Sequence, residues 1–369
     1  MRVLAAIPEP AAVARTSQRQ VFVCGDLHNL GDLKLLLQNL ALTQGDGGIV
    51  RRWAPLPRAV VRQVEAAGGE LASGKAILGF ARRCFGAQVV FGGGQLVRDN
   101  VSVLSQLGLL LAVVCARAGG GRFVTRGLGV SAIRSPLRRL LWRAILSRCA
   151  VVRVRDEASE RNLADLLPGK RCEVYADMVF LRAPGAFAIT PGEGERRWIV
   201  VAPCADGSEG RFLEGAGLDA ALDAALHALP GVRVIVACHD PREGMDKAAA
   251  ARLVARWPGR AVEVLDGYEL APLIALYREA ALVVTNRLHA LIFAILADAP
   301  AVAIEDGTAK VRVVADRFAI PVLPRGDAAV AKGCVDEALS FDRAHRRTVR
   351  HELAIRAAAN LDPGEHRGE

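Results

Sequence analysis

The chain has 369 residues, 52% of them hydrophobic, which is enough to bury a substantial core and by length favours two domains over one. Its formal net charge of +9 comes mainly from scattered arginines, and only 5% of residues are aromatic, with no basic run interleaved with aromatics. Together these argue against nucleic acid and for anionic small substrates or a negatively charged membrane surface.

The N-terminal "MRVLAAIPEPAAVARTS" has an apolar segment too short for a signal peptide and is broken by prolines, so residues 1–19 read as an extension and export is not indicated. From residue 20, short Val/Ile-rich runs alternate with segments of helical period, the pattern of a parallel sheet with helices on its faces. The predicted strands of the first half are "VFVC" (21–24), "GIVRRW" (48–53), "QVVF" (88–91), "RFVT" (122–125), "VVRV" (151–154) and "CEVYA" (172–176). "VSVLSQLGLLLAVVCA" (101–116) falls short of the roughly 20 residues needed to cross a bilayer and carries Ser and Gln, so it reads as a buried helix. A Gly/Pro/charge-rich stretch, "RAPGAFAITPGEGERR" (182–197), then interrupts the pattern as an interdomain linker.

The alternation restarts with "WIVVA" (198–202), "VRVIVA" (232–237), "AVEVL" (261–265), "LVVT" (282–285), "AVAI" (301–304) and "IPVL" (320–323). The expected architecture is therefore α/β, with two Rossmann-like parallel-sheet domains, 20–185 and 198–330, facing a cleft. A charged helical tail, 335–369, is expected to pack back across the first domain. No short sequence repeat is visible, which argues against a solenoid. The eight cysteines (24, 84, 115, 149, 172, 204, 238, 334) form no CxxC pair and have no accompanying His cluster, so they read as small core residues in a reducing cytosol.

In open parallel sheets ligands bind beyond the carboxyl ends of the strands, so the informative residues are the polar ones that directly follow each strand. In the first half these are "GDLHNLGD" (25–32), "GGGQLVRD" (92–99), "RGLG" (126–129) and "RDEAS" (155–159); in the second, "CHD" (238–240), "NRLHA" (286–290) and "EDGTAK" (305–310). Gly92 to Gly94 fit either a tight strand-to-helix turn or backbone N–H groups bared for an anion, and match neither a P-loop nor GxGxxG. Asn29 or Asp32 would cap the helix that follows "NLGD". Asp156 and Glu157 suit a helix start, whereas Arg155 opposes the dipole there. Arg287 and His289 stand between two hydrophobic runs at the start of a helix whose remainder must be buried. An unpaired buried charge costs several kcal/mol, so this arginine needs an anionic partner. With an imidazole two positions on, the pattern points to a site that grips a carboxylate or phosphate through guanidinium and moves a proton through imidazole.

These segments resemble the polysaccharide pyruvyl transferase family. "HNLGD", "FGGGQLVRD", "RGLGVS", "VRDEAS" with "YADMVF" some twenty residues later, and "NRLHALIFA" followed by "AVAIEDGTAK" come in the family's order and cover residues 20–325, with "RLHA" the specific piece. The resemblance implies a GT-B-like two-domain fold and transfer of pyruvyl from phosphoenolpyruvate to a saccharide, forming a cyclic ketal, in bacterial surface-polysaccharide assembly. Two departures, Arg126 where relatives commonly carry glutamine and "APCADG" (202–207), bear on substrate identity more than on reaction class.

On this reading the donor side is the second domain. Arg287 would bind the donor's carboxylate or phosphate, His289 would act as general acid at the methylene carbon or as base for the attacking hydroxyl, and Lys310 would be a second anion contact. Asn29, Asp32, Gly93, Arg126 and Arg155 would line the acceptor side. No metal or other cofactor is expected beyond phosphoenolpyruvate as co-substrate, since no His/Asp/Glu cluster has ligand spacing. The acceptor is expected to be lipid-linked and the protein cytoplasmic, with peripheral contact with an anionic membrane. A nucleotide-sugar glycosyltransferase of the same architecture and a non-catalytic scaffold of polysaccharide export are the competing readings.

Overall fold

The computed structural model describes residues 19–43, 48–73, 75–181, 188–192, 194–204, 216–258, 260, 262–305 and 309–361. Residues 1–18, most of the linker's first half, 205–207 of "APCADG", 306–308 of "EDGTAK" and the last residues of the tail lie outside them. The chain divides into two compact units, one of residues 1–27, 32–185 and 351–369, the other of residues 28–31 and 186–350.

In the first unit the elements run β1 (Gln20–Val23), α1 (Leu30–Ala41), β2 (Gly48–Arg52), α2 (Arg58–Ala66), β3 (Gly69–Ser73), α3 (Ile77–Cys84), β4 (Gln88–Phe91), β5 (Gly94–Val97) and α4 (Val103–Ala118). They continue with β6 (Phe123–Thr125), β7 (Leu128–Val130), α5 (Pro136–Leu146), β8 (Val152–Val154), α6 (Glu157–Leu166) and β9 (Cys172–Val174). One sheet was expected here, and two are found: a five-stranded sheet ordered β3-β2-β1-β4-β6 and a four-stranded sheet ordered β5-β7-β8-β9, both parallel. The reason is a shared bend. β4 and β6 are neighbours in the first sheet, and after a glycine corner each chain runs on as β5 and β7, neighbours in the second. Gly93 and Gly94 (φ +89° and +74°) and Gly127 (φ +58°) make the two corners, in a backbone region closed to most L-residues. Gly92 to Gly94 therefore form a strand-to-strand switch, which overturns the strand-to-helix turn, one of the two readings open for them.

The α4 reading also needs correction. Ser102 caps this helix, accepting the Ser105 N–H at 3.2 Å, and one face (Leu109, Ala112, Val113, Ala116) joins the core. The opposite face is not buried: Leu104, Leu107 and Val114 are exposed. The helix is apolar on both sides, and only one of its two apolar surfaces is covered among the described residues. An arginine inside a strand, Arg51, is accommodated differently. Its guanidinium lies 3.5 Å from the Trp53 ring centroid with Phe80 at 5.0 Å, and burial lowers its pKa to about 9.

The second unit runs β10 (Trp198–Ala202), α7 (Ala216–Ala228), β11 (Arg233–Ala237), α8 (Asp246–Arg256), β12 (Val262–Leu265), α9 (Leu270–Arg278) and β13 (Ala280–Thr285). It continues with α10 (Leu288–Leu296), β14 (Ala301–Ile304), α11 (Ala309–Arg317), β15 (Val322–Leu323), α12 (Ala331–Leu339) and α13 (Arg343–Ala358), the last of which ends in the first unit. All six predicted strands are present in one parallel sheet ordered β12-β11-β10-β13-β14-β15, the doubly wound order. β10 and β13 at its centre are almost wholly buried, as continuous Val/Ile runs demand when both faces are covered. Five cysteines (24, 84, 149, 204, 238) are buried and the other three partly so, and all eight are free thiols.

Candidate active site

The doubly wound order makes β10 and β13 adjacent and places their carboxyl ends at the point where the winding reverses, the usual ligand position in such sheets. The residues that follow these strands are fastened to one another. Thr285 Oγ1 donates to the Ala202 carbonyl (2.7 Å) and accepts the Arg287 N–H (2.9 Å), while Asn286 Oδ1 accepts the Cys204 N–H (2.7 Å). Arg287 is thus the residue before α10 with its backbone fixed on both sides, and its side chain is only 6% exposed.

That guanidinium has an anionic partner inside the chain. Arg287 Nη2 donates to Asp246 Oδ1, and Nε donates to the Pro203 carbonyl at 3.2 Å. The other Asp246 oxygen accepts the N–H groups of His239 (3.0 Å) and Asp240 (2.8 Å), so one fully buried carboxylate ties β11's end to β13's. Burial, the largest single effect, would lower the Arg287 pKa, but Asp246 together with Cys204 and Asp240 outweighs it and holds the group charged above its ordinary value. Nη1 makes no hydrogen bond among the described residues, which leaves one edge of the fork for a ligand.

His289 occupies the first turn of α10 and is partly buried. Residues 28–31, which group with the second unit, lie against it: a Cβ on Gly31 would stand 2.1 Å from His289 Nδ1, so only glycine permits this approach. The Leu30 N–H donates to the His239 carbonyl (2.8 Å), and Asn29 Oδ1 accepts the Gly31 N–H (2.9 Å), making Asn29 the cap of α1. His239 Nε2 is 2.7 Å from the Tyr277 hydroxyl, in an aromatic cluster with Phe293. Burial, then the nearby Arg287 and His289, push the His239 pKa well below its ordinary value, so this imidazole is neutral. Lys310 sits in the first turn of α11, which follows β14 at the same carboxyl edge and packs on α10.

In the first unit Asp32 is not the cap of α1. Its Oδ2 reaches back to accept the Asp26 N–H at 3.0 Å, closing the loop after β1. Burial raises its pKa to about 6 against the lowering effect of Arg98, with Asp26 and Asp177 adding to the rise. Arg155 is fully engaged at all three nitrogens: Nε to Asp156 (3.1 Å), Nη1 to Asp177 (3.1 Å) and Nη2 to Gln95 (2.6 Å). Its opposition to the dipole of α6 is thereby offset by Asp156, which caps that helix through the Ser159 N–H at 2.7 Å. Arg126 is buried beside Gly93, whose added Cβ would lie 3.5 Å from the Arg126 carbonyl. Its Nη1 donates to Asn39 Oδ1 (3.3 Å), its Nε has no partner among the described residues, and burial followed by Arg153 lowers its pKa to about 10.

The structure thus brings Arg287, His289 and Asn29 together in the second unit, with Lys310 on the adjoining helix. It joins Gly93 to Arg126 and links Asp32 with Arg155 through Asp177 in the first. Asp246, His239 and Tyr277 are the partners that sequence reasoning did not select. "CHD" directly after a strand was the only signal for His239, and the need of Arg287 for an anion was the only one for Asp246. Among the described residues no group of His, Cys, Asp or Glu is placed to hold a metal ion.

A sequence model of the family described as polysaccharide pyruvyl transferase matches residues 18–307. No curated protein sequence matches the chain. Among solved structures, a glycosyltransferase from Rickettsia africae ESF-5 is similar with a TM-score of 0.60 at 11% identity, covering 95% of this chain and 97% of that one. Anabaena HepE in complex with UDP and glucose gives 0.56 at 13% identity, covering 94% and 96%. The Neisseria meningitidis UDP-GlcNAc 2-epimerase bound to UDP-GlcNAc gives 0.57 at 11% identity, covering 94% and 99%. At such identities the likeness establishes the fold, which is GT-B-like.

Proposed function

The chain belongs to the polysaccharide pyruvyl transferase family, and from that premise we propose that it transfers pyruvyl from phosphoenolpyruvate to two hydroxyls of a lipid-linked saccharide, forming a cyclic ketal and releasing phosphate. The observation that carries this reading is a cation whose Nη1 has no hydrogen-bond partner among the described residues, two residues from an imidazole at the carboxyl end of β13. Arg287, held by Asp246 and Pro203, presents Nη1 to the donor's carboxylate or phosphate, and Lys310 adds a second positive charge.

The chemistry needs one proton delivered to carbon and two removed from oxygen. Protonation of the methylene carbon turns it into a methyl group and leaves an electrophilic centre, which the first hydroxyl attacks. Departure of the phosphate regenerates that electrophile for the second hydroxyl. One hydroxyl proton replaces the proton given to carbon and the other leaves with phosphate, so the enzyme ends the cycle unchanged. His289 serves as the acid at carbon or as the base for the first hydroxyl. Asp32, with its carboxyl raised to about 6, is a second group able to accept a proton near neutral pH. Arg126, charged and without a carboxylate partner among the described residues, and Gly93, Asn29 and Arg155 belong to the acceptor side, where Arg155 positions Asp177 and Gln95.

Nucleotide-sugar transfer is the second reading, favoured by a fold that it shares with HepE, solved with UDP and glucose. Thermal protection separates the two. Phosphoenolpyruvate should raise the melting temperature in proportion to the logarithm of its concentration, whereas protection by a UDP-sugar and none by phosphoenolpyruvate would reverse the assignment.

A further inference from the structure

Helix α4 carries, besides its core face, a second apolar stripe at helical spacing: Leu104, Leu107, Leu111 and Val114. Leu104 is 65% exposed; on the adjoining α3 Leu78 is 78% exposed, and Phe85, directly after that helix, is 63% exposed. Between the two helices a depression of about 560 Å³ is lined by Leu78, Ala81, Arg82, Phe85, Leu111 and Cys115. On its other neighbour, α5, Leu137 and Leu140 are exposed as well. Scattered exposed leucines need no explanation, but a set concentrated on three successively packed helices, with a shared depression between two of them, does.

The charges on these helices are of one sign. α3, α4 and α5 contain Arg82, Arg83, Arg117, Arg138, Arg139 and Arg143, and their sequences contain no Asp or Glu. Arg83 pairs with Glu70 and Arg139 with Asp165, both from other elements; Arg82, Arg117, Arg138 and Arg143 have no carboxylate partner among the described residues. We propose that the α3–α4–α5 face is a docking surface for an anionic lipid bilayer, with the leucines and Phe85 entering the interfacial layer and the arginines meeting lipid phosphates. A second copy of the chain fits poorly, because a two-fold contact would set this face against itself and bring like charges together. No helix among the described residues is long and apolar enough to span a membrane, so attachment would be by this surface. The proposal rests on the transferase reading only for its purpose, bringing the protein to a lipid-linked acceptor.

The test is flotation of the full chain with vesicles of phosphatidylcholine alone or mixed with phosphatidylglycerol, free of sugar acceptor and phosphoenolpyruvate, so that failure here is separate from failure of the transfer chemistry. Binding should require the anionic lipid and weaken with salt. L104S/L107S should bind at least ~10-fold more weakly for each leucine, and R82Q and R143Q about fivefold each. The exposed Ile355 on α13 provides the control, Ile355→Ser, which should bind as the parent does. Unfolding temperatures of all variants should match, since the altered side chains lie outside the core. Equal binding by the parent and L104S/L107S, or none by either, would overturn the proposal. So would a dimer in light scattering that L104S/L107S dissolves without any change in vesicle binding.

Discussion

Replacing Asp246 by Asn tests whether the charge of Arg287 is sustained from within the chain. The carboxylate has three donors: Arg287 Nη2 at one oxygen, and the N–H groups of His239 and Asp240 at the other. An amide can satisfy the two backbone donors through its oxygen, but its nitrogen then faces the guanidinium donor to donor. Breaking a buried pair at one partner costs about 3–5 kcal/mol, because an uncompensated buried charge remains. For a unit of this size that is a fall of roughly 6–20 °C in melting temperature. Arg287→Met leaves Asp246 its two backbone donors but loses the charged hydrogen bonds to Asp246 and to the Pro203 carbonyl, about 1.5–3 kcal/mol each. The double variant D246N/R287M removes both the charge and its partner, so it should cost less than the sum of the single changes by about 1–3 kcal/mol. Urea unfolding of the four proteins, with hydrogen exchange at the His239 and Asp240 amides, measures the coupling. Additive costs within ~0.5 kcal/mol, or an unchanged melting temperature for D246N, would refute the reasoning.

His289→Asn should lower turnover by about 100-fold or more with little change in donor affinity, and Arg287→Lys should weaken donor binding by roughly 1.5–3 kcal/mol; calorimetry beside single-turnover rates separates the two. If His289→Asn abolished donor binding with its fold intact, the histidine would be a donor ligand and the proton would come from elsewhere. Asp32 binds its proton more tightly folded than unfolded, so its contribution to stability is present below its ordinary 3.8 and is lost as pH rises through about 6. Asp32→Asn should therefore be more stable than the parent at pH 8, by up to ~3 kcal/mol, and should show a flatter decline between pH 4 and 6; melts across that range check it. Gly31→Ala should depress activity without unfolding the protein, as the imidazole of His289 is displaced; a parental rate would show that the close approach is dispensable. Chelator should leave the rate unchanged, and loss restored by magnesium or zinc would mean that the anion site has been misread.

The second unit was legible because the central strands of its sheet are buried on both faces and must be apolar, Val/Ile-rich runs, while the exposed edge strand β12 showed itself by the alternation of "AVEVL". In the first unit β3 was missed, since "GELAS" has no β-branched residue and an edge strand needs few. β5 and β7 were missed because each is a short run directly behind a glycine corner, where a helix start was the simpler expectation. The apolar sequence of α4 could not say whether its second face met protein or something else. At the site, the need of Arg287 for an anion could be read from its hydrophobic flanks, but Asp246 lies 41 residues earlier, at the start of another helix, and only folding brings it to the guanidinium.

Incubating the protein with phosphoenolpyruvate and lipid-linked glycans, followed by mass analysis of the glycans and a phosphate assay, addresses the transfer itself. A saccharide gaining one pyruvyl ketal for each phosphate released is the expected result. A glycan that stays unchanged with phosphoenolpyruvate but gains a hexose when a UDP-sugar is supplied would contradict the account.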